Sequence, residues 1–268
     1  MRGLKKSRVR SSLCQKEEPG LDYYHTSMAN EEALHLYSRD RSKPIHRWVY
    51  EVLRLNIIQL HLKPGRILSE TEMADLLEVS RTPVREAFIR LAEDGLLDIL
   101  PQKGSIVSLI DLEQAQEARF VRLAVEKEIL KEACTAQLSG LKGVLKDLEG
   151  NLEWQEEYGK KNAYDQLLVA DNEFHRILYR SCGKERVWDA IKKLDYNYDR
   201  LRVMTLPLVS GRIIGEHREI LKVVEGREIE RIEDLLSRHL TWEIIEGVVF
   251  EYPREYFKAL PVQENVVR

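Results

Sequence analysis

Residues 68–95 read LSETEMADLLEVSRTPVREAFIRLAEDG. The stretch divides into two short helices joined by a tight turn. Ser69 and Glu72 have the spacing of a capping box, and Met73, Leu76 and Leu77 form an inward face. Val79 fills the turn. Ser80 or Thr82 can cap the second helix, Pro83 suits its first turn, and Ala87, Phe88 and Leu91 supply its buried side. Asp94-Gly95 closes it, glycine supplying the left-handed conformation that helix ends use. The second helix therefore opens on Arg81, Thr82, Pro83, Val84 and Arg85, with both arginines on one face. Guanidinium forks match O6 and N7 of guanine in the major groove, and Thr82 can reach a phosphate or a thymine methyl. The simpler alternative is a solvated surface helix in which Arg85 pairs with Glu86 or Glu78.

Outward from this unit, Val49, Val52, Leu53, Ile57 and Leu60 recur at helical spacing, ending at the Lys-Pro-Gly of residues 63–65. Downstream, residues 97–100 and 105–108 are strand-like and flank Pro101-Gln102-Lys103-Gly104. That predicts a two-stranded hairpin whose tip, Lys103 and Gly104, suits a groove edge. Three helices and a hairpin make a winged helix over residues 44–110. Residues 1–43 are expected to be a flexible extension, basic at Arg2, Lys5, Lys6, Arg8 and Arg10. Met28 offers an alternative start, which would leave residues 1–27 outside the native protein.

Beyond residue 111 strand signals stop. Helices are predicted near 111–136, 140–156, 162–182, 185–203, 211–226 and 228–249, with a break over Pro207 to Gly211. Short loops imply antiparallel neighbours, so residues 111–250 are expected to form an all-α bundle, and 251–268 a fraying tail. The fold class is mainly α: a winged helix-turn-helix domain plus an antiparallel helical bundle.

Length fits two ordinary domains, and 43% hydrophobic with 32% charged residues fits a globular, helix-rich chain. The net charge of −3 requires any phosphate-binding surface to be local. Cys14, Cys134 and Cys182 are odd in number and lack metal-type spacing, consistent with reduced thiols and a cytoplasmic location. No apolar run approaches the ~20 residues of a membrane span.

Residues 62–107 resemble the N-terminal domain of GntR-family bacterial transcription regulators, whose hallmark VSRTPVREA stands here at 79–87. The resemblance implies a homodimer on a palindromic DNA operator, contacted by Arg81, Thr82, Pro83, Arg85 and the wing around Gly104. Thr71 stands where such proteins often carry a basic side chain, which removes the basis for a contact there.

In the second half, His175, His217 and His239 all lie on apolar stripes, and Asp171 shares a helix face with His175. Burying such groups unpaired costs on the order of 1–3 kcal/mol each. A core hydrogen bond satisfies any one of them; a shared divalent metal satisfies the set, and N3O donors suit Zn, Ni or Mn. Asp171-x-x-x-His175, Glu216-His217-Arg218 and His239-Leu240 resemble the FadR-type (FCD) ligand-sensing domain over roughly 115–249. That resemblance implies a metal held by Asp171, His175, His217 and His239 at the base of a cavity.

Arg122 and Glu126 fall at that family's R-x-x-x-E position, which is often aimed at an effector carboxylate; a surface ion pair is the alternative. Arg200 and Arg202 are weaker effector contacts, equally explained as a solvated face. Trp154, Trp188 and Trp242 read as packing residues. The sequence thus predicts a non-enzymatic, ligand-responsive regulator whose effector is a small organic acid. Two alternatives remain open: a metal hydrolase with Glu173 or Glu126 as base, and a metal that is purely structural.

Overall fold

The computed structural model describes residues 34–259, apart from 38, 101–103 and 136–137. Lys103, Cys14 and the basic start of the chain lie outside the described residues.

The first domain begins with α1 (Ile45–Ile58), whose Val49, Val52, Leu53 and Ile57 are fully enclosed. α2 (Glu70–Leu76) starts where the Ser69 hydroxyl accepts from the Glu72 amide, and α3 (Arg81–Glu93) follows. Ser80 occupies the N-cap position of α3 without a side-chain cap bond; Pro83 in the first turn sets the helical φ instead. β1 (Ile67–Leu68), β2 (Leu97–Leu100) and β3 (Gly104–Val107) form one antiparallel sheet in the order β1-β3-β2. The wing is therefore three-stranded, not two: the short segment before α2 caps the free edge of β3. Gly104 has a φ of +94°, and a Cβ there would meet the Leu68 carbonyl at 3.1 Å, so the close strand approach requires glycine.

The second domain comprises α4 (Leu112–Thr135), α5 (Leu138–Lys160), α6 (Tyr164–Ser181), α7 (Glu185–Leu194), α8 (Tyr196–Gly226), α9 (Ile232–His239) and α10 (Glu243–Val249). The expected break over Pro207–Gly211 is absent. α8 runs 31 residues straight through Pro207. A proline inside a helix costs about 3 kcal/mol. Met204, Leu206, Ile213 and Ile214 are buried on either side of it. At roughly 1.5–3 kcal/mol each, their burial outweighs that cost. The break falls earlier instead, at Asp195, the fully buried residue between α7 and α8.

Both ends of the described chain are docked rather than loose. Tyr37 is buried, its carbonyl accepts from Trp48 Nε1, and its hydroxyl bonds Gln59. The Asn56 side chain clamps the arm at two points, accepting from the His35 amide at 2.8 Å and donating to the His35 carbonyl at 2.9 Å. At the other end Phe257 is buried and bridges Ile110 in the interdomain linker. The two domains share one apolar core, since Leu167, Leu168, Leu206, Ile213 and Ile214 of the bundle join the cluster built by α1 and α3.

Candidate DNA interface and metal centre

α3 presents Arg81, Thr82 and Arg85 to solvent and turns Pro83, Val84, Ala87 and Phe88 inward. Pro83 thus starts the helix rather than offering an outward surface. Arg81 makes an exposed ion pair with Glu70 at 3.3 Å, an interaction weak enough to exchange for a phosphate or a base. Arg85 has no ion pair among the described residues, with Glu86 or with Glu78. Gly104, at the exposed start of β3, lies at the edge of the wing.

Inside the bundle, five helices converge. His175 and Asp171 come from α6, His217 from α8 and His239 from the last turn of α9. All four are buried. The His175 Nε2 atom lies 3.3 Å from that of His217 and 3.2 Å from that of His239. Each remaining ring nitrogen faces an acceptor: His175 Nδ1 lies 3.0 Å from Glu126 of α4, His217 Nδ1 2.7 Å from Gln155 of α5, and His239 Nδ1 3.0 Å from Glu216 of α8. Those contacts put the proton on Nδ1 and turn three Nε2 lone pairs toward one point.

Burial holds the His175 and His217 imidazoles below their ordinary titration range, although Glu126 and Asp171 respectively oppose it. Ring nitrogens facing one another through lone pairs repel, and a cation removes that repulsion. Zn–N bonds of 2.0–2.1 Å in tetrahedral geometry require nitrogens about 3.3 Å apart, which the two measured separations match. Asp171 lies 3.6 Å from His217 and 3.9 Å from His175. The donor set therefore fits a divalent ion. Burial raises the Asp171 carboxyl, but Arg202 and then the imidazoles overcome this and hold it far below the usual carboxylate range.

The predicted effector residues are placed as follows. Arg122 is fully buried; Nε bonds Glu126 at 2.9 Å and Nη1 lies 3.6 Å from Asp195. Neither terminal nitrogen has a hydrogen-bond partner among the described residues. Glu126 joins Arg122 to His175, so it orients the centre from behind. Arg202 is bound to Asp171 and Asp199. Arg122, Arg202, Asp171, Tyr198, Thr205 and His239 border one cavity of about 30 Å³. Arg200 is not on a solvated face: it is fully buried and donates to Ser108 and Leu109 carbonyls in the interdomain linker. Glu173 is engaged by Arg176. Trp188 is buried and stacks on His175, whereas Trp154 stacks on Tyr158.

Sequence reasoning missed Gln155, quoted Glu216 only as a neighbour of His217 without a role, and read Arg200 as an effector contact or a solvated residue. Glu216, adjacent to His217, was within reach of a helix-face argument; Gln155, on a different helix, left no signal.

A basic-tipped recognition helix on a winged domain, joined to a helical bundle with an interior polar centre, is the arrangement of a DNA-binding regulator with a second, helical domain. Residues 46–107 match the family model described as bacterial regulatory proteins, gntR family, and residues 117–241 match the FCD domain. The chain belongs to the GntR family, in its FCD branch. It is 33% identical over 209 residues to the HTH-type transcriptional repressor RspR of Escherichia coli strain K12, covering 77% of this chain and 90% of that one. It is 28% identical over 202 residues to the Nta operon transcriptional regulator of Aminobacter aminovorans, covering 72% and 93%. Among solved structures, E. coli McbR/YncC superposes with a TM-score of 0.66 at 20% identity, covering 79% of this chain and 100% of that one. A putative GntR regulator from Rhodococcus sp. RHA1 gives 0.61 at 24%, covering 78% and 99%. The protein is accordingly a DNA-binding transcriptional regulator and not an enzyme. FCD domains can bind metal, and this one contains a His/Asp group able to hold an ion. Among the described residues no helix is long and apolar enough to cross a membrane.

Proposed function

We propose that this regulator binds a palindromic operator as a homodimer and that a divalent ion and a small organic acid in the bundle set its affinity. In this division, residues 44–110 read DNA through Arg81, Thr82, Arg85 and the Lys103-Gly104 wing, with Pro83 setting the helix start. Residues 111–250 sense the ligand. One observation carries the reading: three Nε2 lone pairs converge beside a buried guanidinium, Arg122, whose two terminal nitrogens have no hydrogen-bond partner among the described residues, Nη1 keeping only the ion pair with Asp195 at 3.6 Å. Asp171, His175, His217 and His239 would hold the ion, which supplies a Lewis-acidic site for a carboxylate. Arg122 supplies a bidentate partner, with Arg202 beside it. Exposed Phe120 and Leu194 border a surface groove of about 760 Å³ between α4 and α7, an apolar face suited to a second copy.

A cavity of about 30 Å³ supports a second reading, a purely structural ion, because small-molecule pockets usually span hundreds of Å³. The experiment is operator binding by fluorescence anisotropy, with and without chelation, across a panel of small carboxylates. Sensing predicts that an acid shifts operator affinity and that chelation abolishes the shift. If chelation lowers only the melting temperature and no acid acts, the ion is structural. Absence of salt-sensitive, sequence-selective DNA binding would sink the proposal.

A further inference from the structure

A second cluster of imidazole and carboxylate sits at the seam between the domains. His35 lies on the docked N-terminal arm, His61 follows the exit of α1, and Asp165 is in the first turn of α6. One Asp165 oxygen lies 2.8 Å from His61 Nε2 and 3.5 Å from His35 Nδ1. The donor atoms of all three residues lie within 4.8 Å of one another. Asp165 precedes His175 by ten residues on one helix, about 15 Å along its axis, so this cluster is separate from the bundle centre.

We infer that His35, His61 and Asp165 form a second divalent transition-metal site, one that staples the N-terminal arm and the DNA-binding domain to the sensing bundle. Three observations support it. The donor chemistry is two imidazoles and a carboxylate, the set that favours Zn, Ni or Cu over Mg or Ca. The oxygen–nitrogen separations of 2.8 and 3.5 Å bracket the roughly 3.3 Å edge of a tetrahedral site, so small side-chain movements suffice. The ligands are also held in place from behind. Asn56 clamps the backbone of His35, and buried Leu62, whose amide bonds the Asn56 carbonyl, anchors the residue after His61.

The two rings stack with centroids 3.7 Å apart, so coordination splays them by rotation about their side-chain bonds. The His35 side chain is 45% exposed and the other two are under a quarter exposed. An ion can therefore enter from solvent, and water can fill the open position. The physical consequence is a metal-dependent restraint. Residues 35, 61 and 165 belong to three separate segments, and a shared ion fixes the arm and the end of α1 against α6.

The test uses the untagged, full-length protein, stripped with chelator and titrated with Zn²⁺ by equilibrium dialysis. Co²⁺ absorption provides a second readout. The wild type is expected to bind one equivalent more than the H35A/H61A variant, both being folded by circular dichroism. His35→Asn alone keeps the Asn56 clamp on the backbone and is expected to lose the same equivalent, which guards against misfolding of the double variant. Asp165→Asn should weaken it. Equal stoichiometry in wild type and variants overturns the inference, as does a seam equivalent taken up only at large excess of metal. The outcome is distinct from that for the bundle centre: a wild type binding one ion that H35A/H61A loses supports the seam and refutes the interior site.

Discussion

Replacing Arg200 with methionine separates the bonds that join the two domains from the residues that bind ligands. Arg200 donates from Nη1 to the Ser108 carbonyl at 2.7 Å, and from Nη2 to Ser108 Oγ at 3.4 Å, the Leu109 carbonyl at 3.4 Å and Asn197 Oδ1 at 2.5 Å. Burial outweighs the opposing charge of Asp98 and brings its guanidinium down to about 10, and the hydrogen bonds that hold it go to carbonyl and hydroxyl oxygens, with none to a carboxylate among the described residues. Methionine fills much of the space but strands the buried Ser108 carbonyl, a loss of about 1–3 kcal/mol, along with charge-assisted bonds worth about 1.5–3 kcal/mol. Relief from burying a cation returns several kcal/mol of this. The net expectation is about 1–3 kcal/mol of destabilisation, or a fall of roughly 2–12 °C in melting temperature at ~2–4 °C per kcal/mol for a chain of this size. Ion binding in the bundle and operator recognition by α3 should survive. Communication between them should not: typical coupling of 1–3 kcal/mol, a factor of about 5–150 in operator affinity, is expected to shrink to about twofold or less. Calorimetry for the ion and anisotropy for DNA measure both halves on one preparation. An Arg200→Met protein that is as stable as wild type, or that transmits the full response, refutes the reasoning.

Other substitutions address the remaining parts. Arg81→Ala with Arg85→Ala should leave the fold intact, because both side chains are exposed, yet weaken specific DNA binding by about 1–3 kcal/mol for each lost base contact and flatten its salt dependence; unchanged operator occupancy would remove α3 from the interface. Gln155→Leu deletes the acceptor that orients His217 without touching a ligand, and ion affinity should drop about 10–100-fold by competition against a chromophoric chelator. An undiminished affinity would show that the ring needs no such support. The Tyr50 phenol is pushed well above its ordinary value near 10 by burial and by Asp94, 2.5 Å from its hydroxyl. The protonated phenol is thus favoured in the folded state. Its contribution is complete below pH 10 and is lost as pH rises from there toward the raised value. Spectrophotometric titration should find tyrosinate appearing together with unfolding, and a wild type whose Tyr50→Phe variant titrates identically in the native state would contradict this.

What the sequence discloses depends on how local the cause is. The helix-turn-helix is legible because its signals sit within a few residues of their effects: Ser69 accepts from the Glu72 amide, and the last turn of α3 ends at Gly95 with φ +73°. The three histidines are legible as a set because helical periodicity puts each on an apolar face. Their acceptors are not, since Gln155 meets His217 only through the packing of α5 against α8. Arg200 looked solvated because a charged side chain is rarely enclosed, and only the linker carbonyls of residues 108 and 109 make the enclosure tolerable. The arm and the tail carried no periodic stripe to read. The arm is held by Tyr37, and the tail by Phe257 with Tyr252 and Tyr256 packed against the same core, each with hydrogen bonds to distant segments.

Pro207 is where local rule and tertiary context disagree most openly. It lies inside α8, is exposed, and removes the donor that the Val203 carbonyl would otherwise meet. Arg200 and Arg202 stand before it, against the linker and Asp171; Glu216 and His217 stand after it, at the bundle centre. One helix thus connects the interdomain linker, through Arg200, to His217 at the candidate metal centre, with a missing hydrogen bond between the two ends. Missing ladder bonds are where helices bend. Pro207→Ala restores the bond without disturbing the core, and alanine is about 3 kcal/mol more favourable in a helix interior. A stabilisation of about 1–3 kcal/mol in denaturant titrations is therefore expected, together with an altered operator response to metal or acid, because the helix transmitting it becomes stiffer. A stabilised variant with an unchanged response would assign the proline no part in signalling. A variant no more stable than wild type would mean that the carbonyl of Val203 is already satisfied, and the argument from the missing bond would fall.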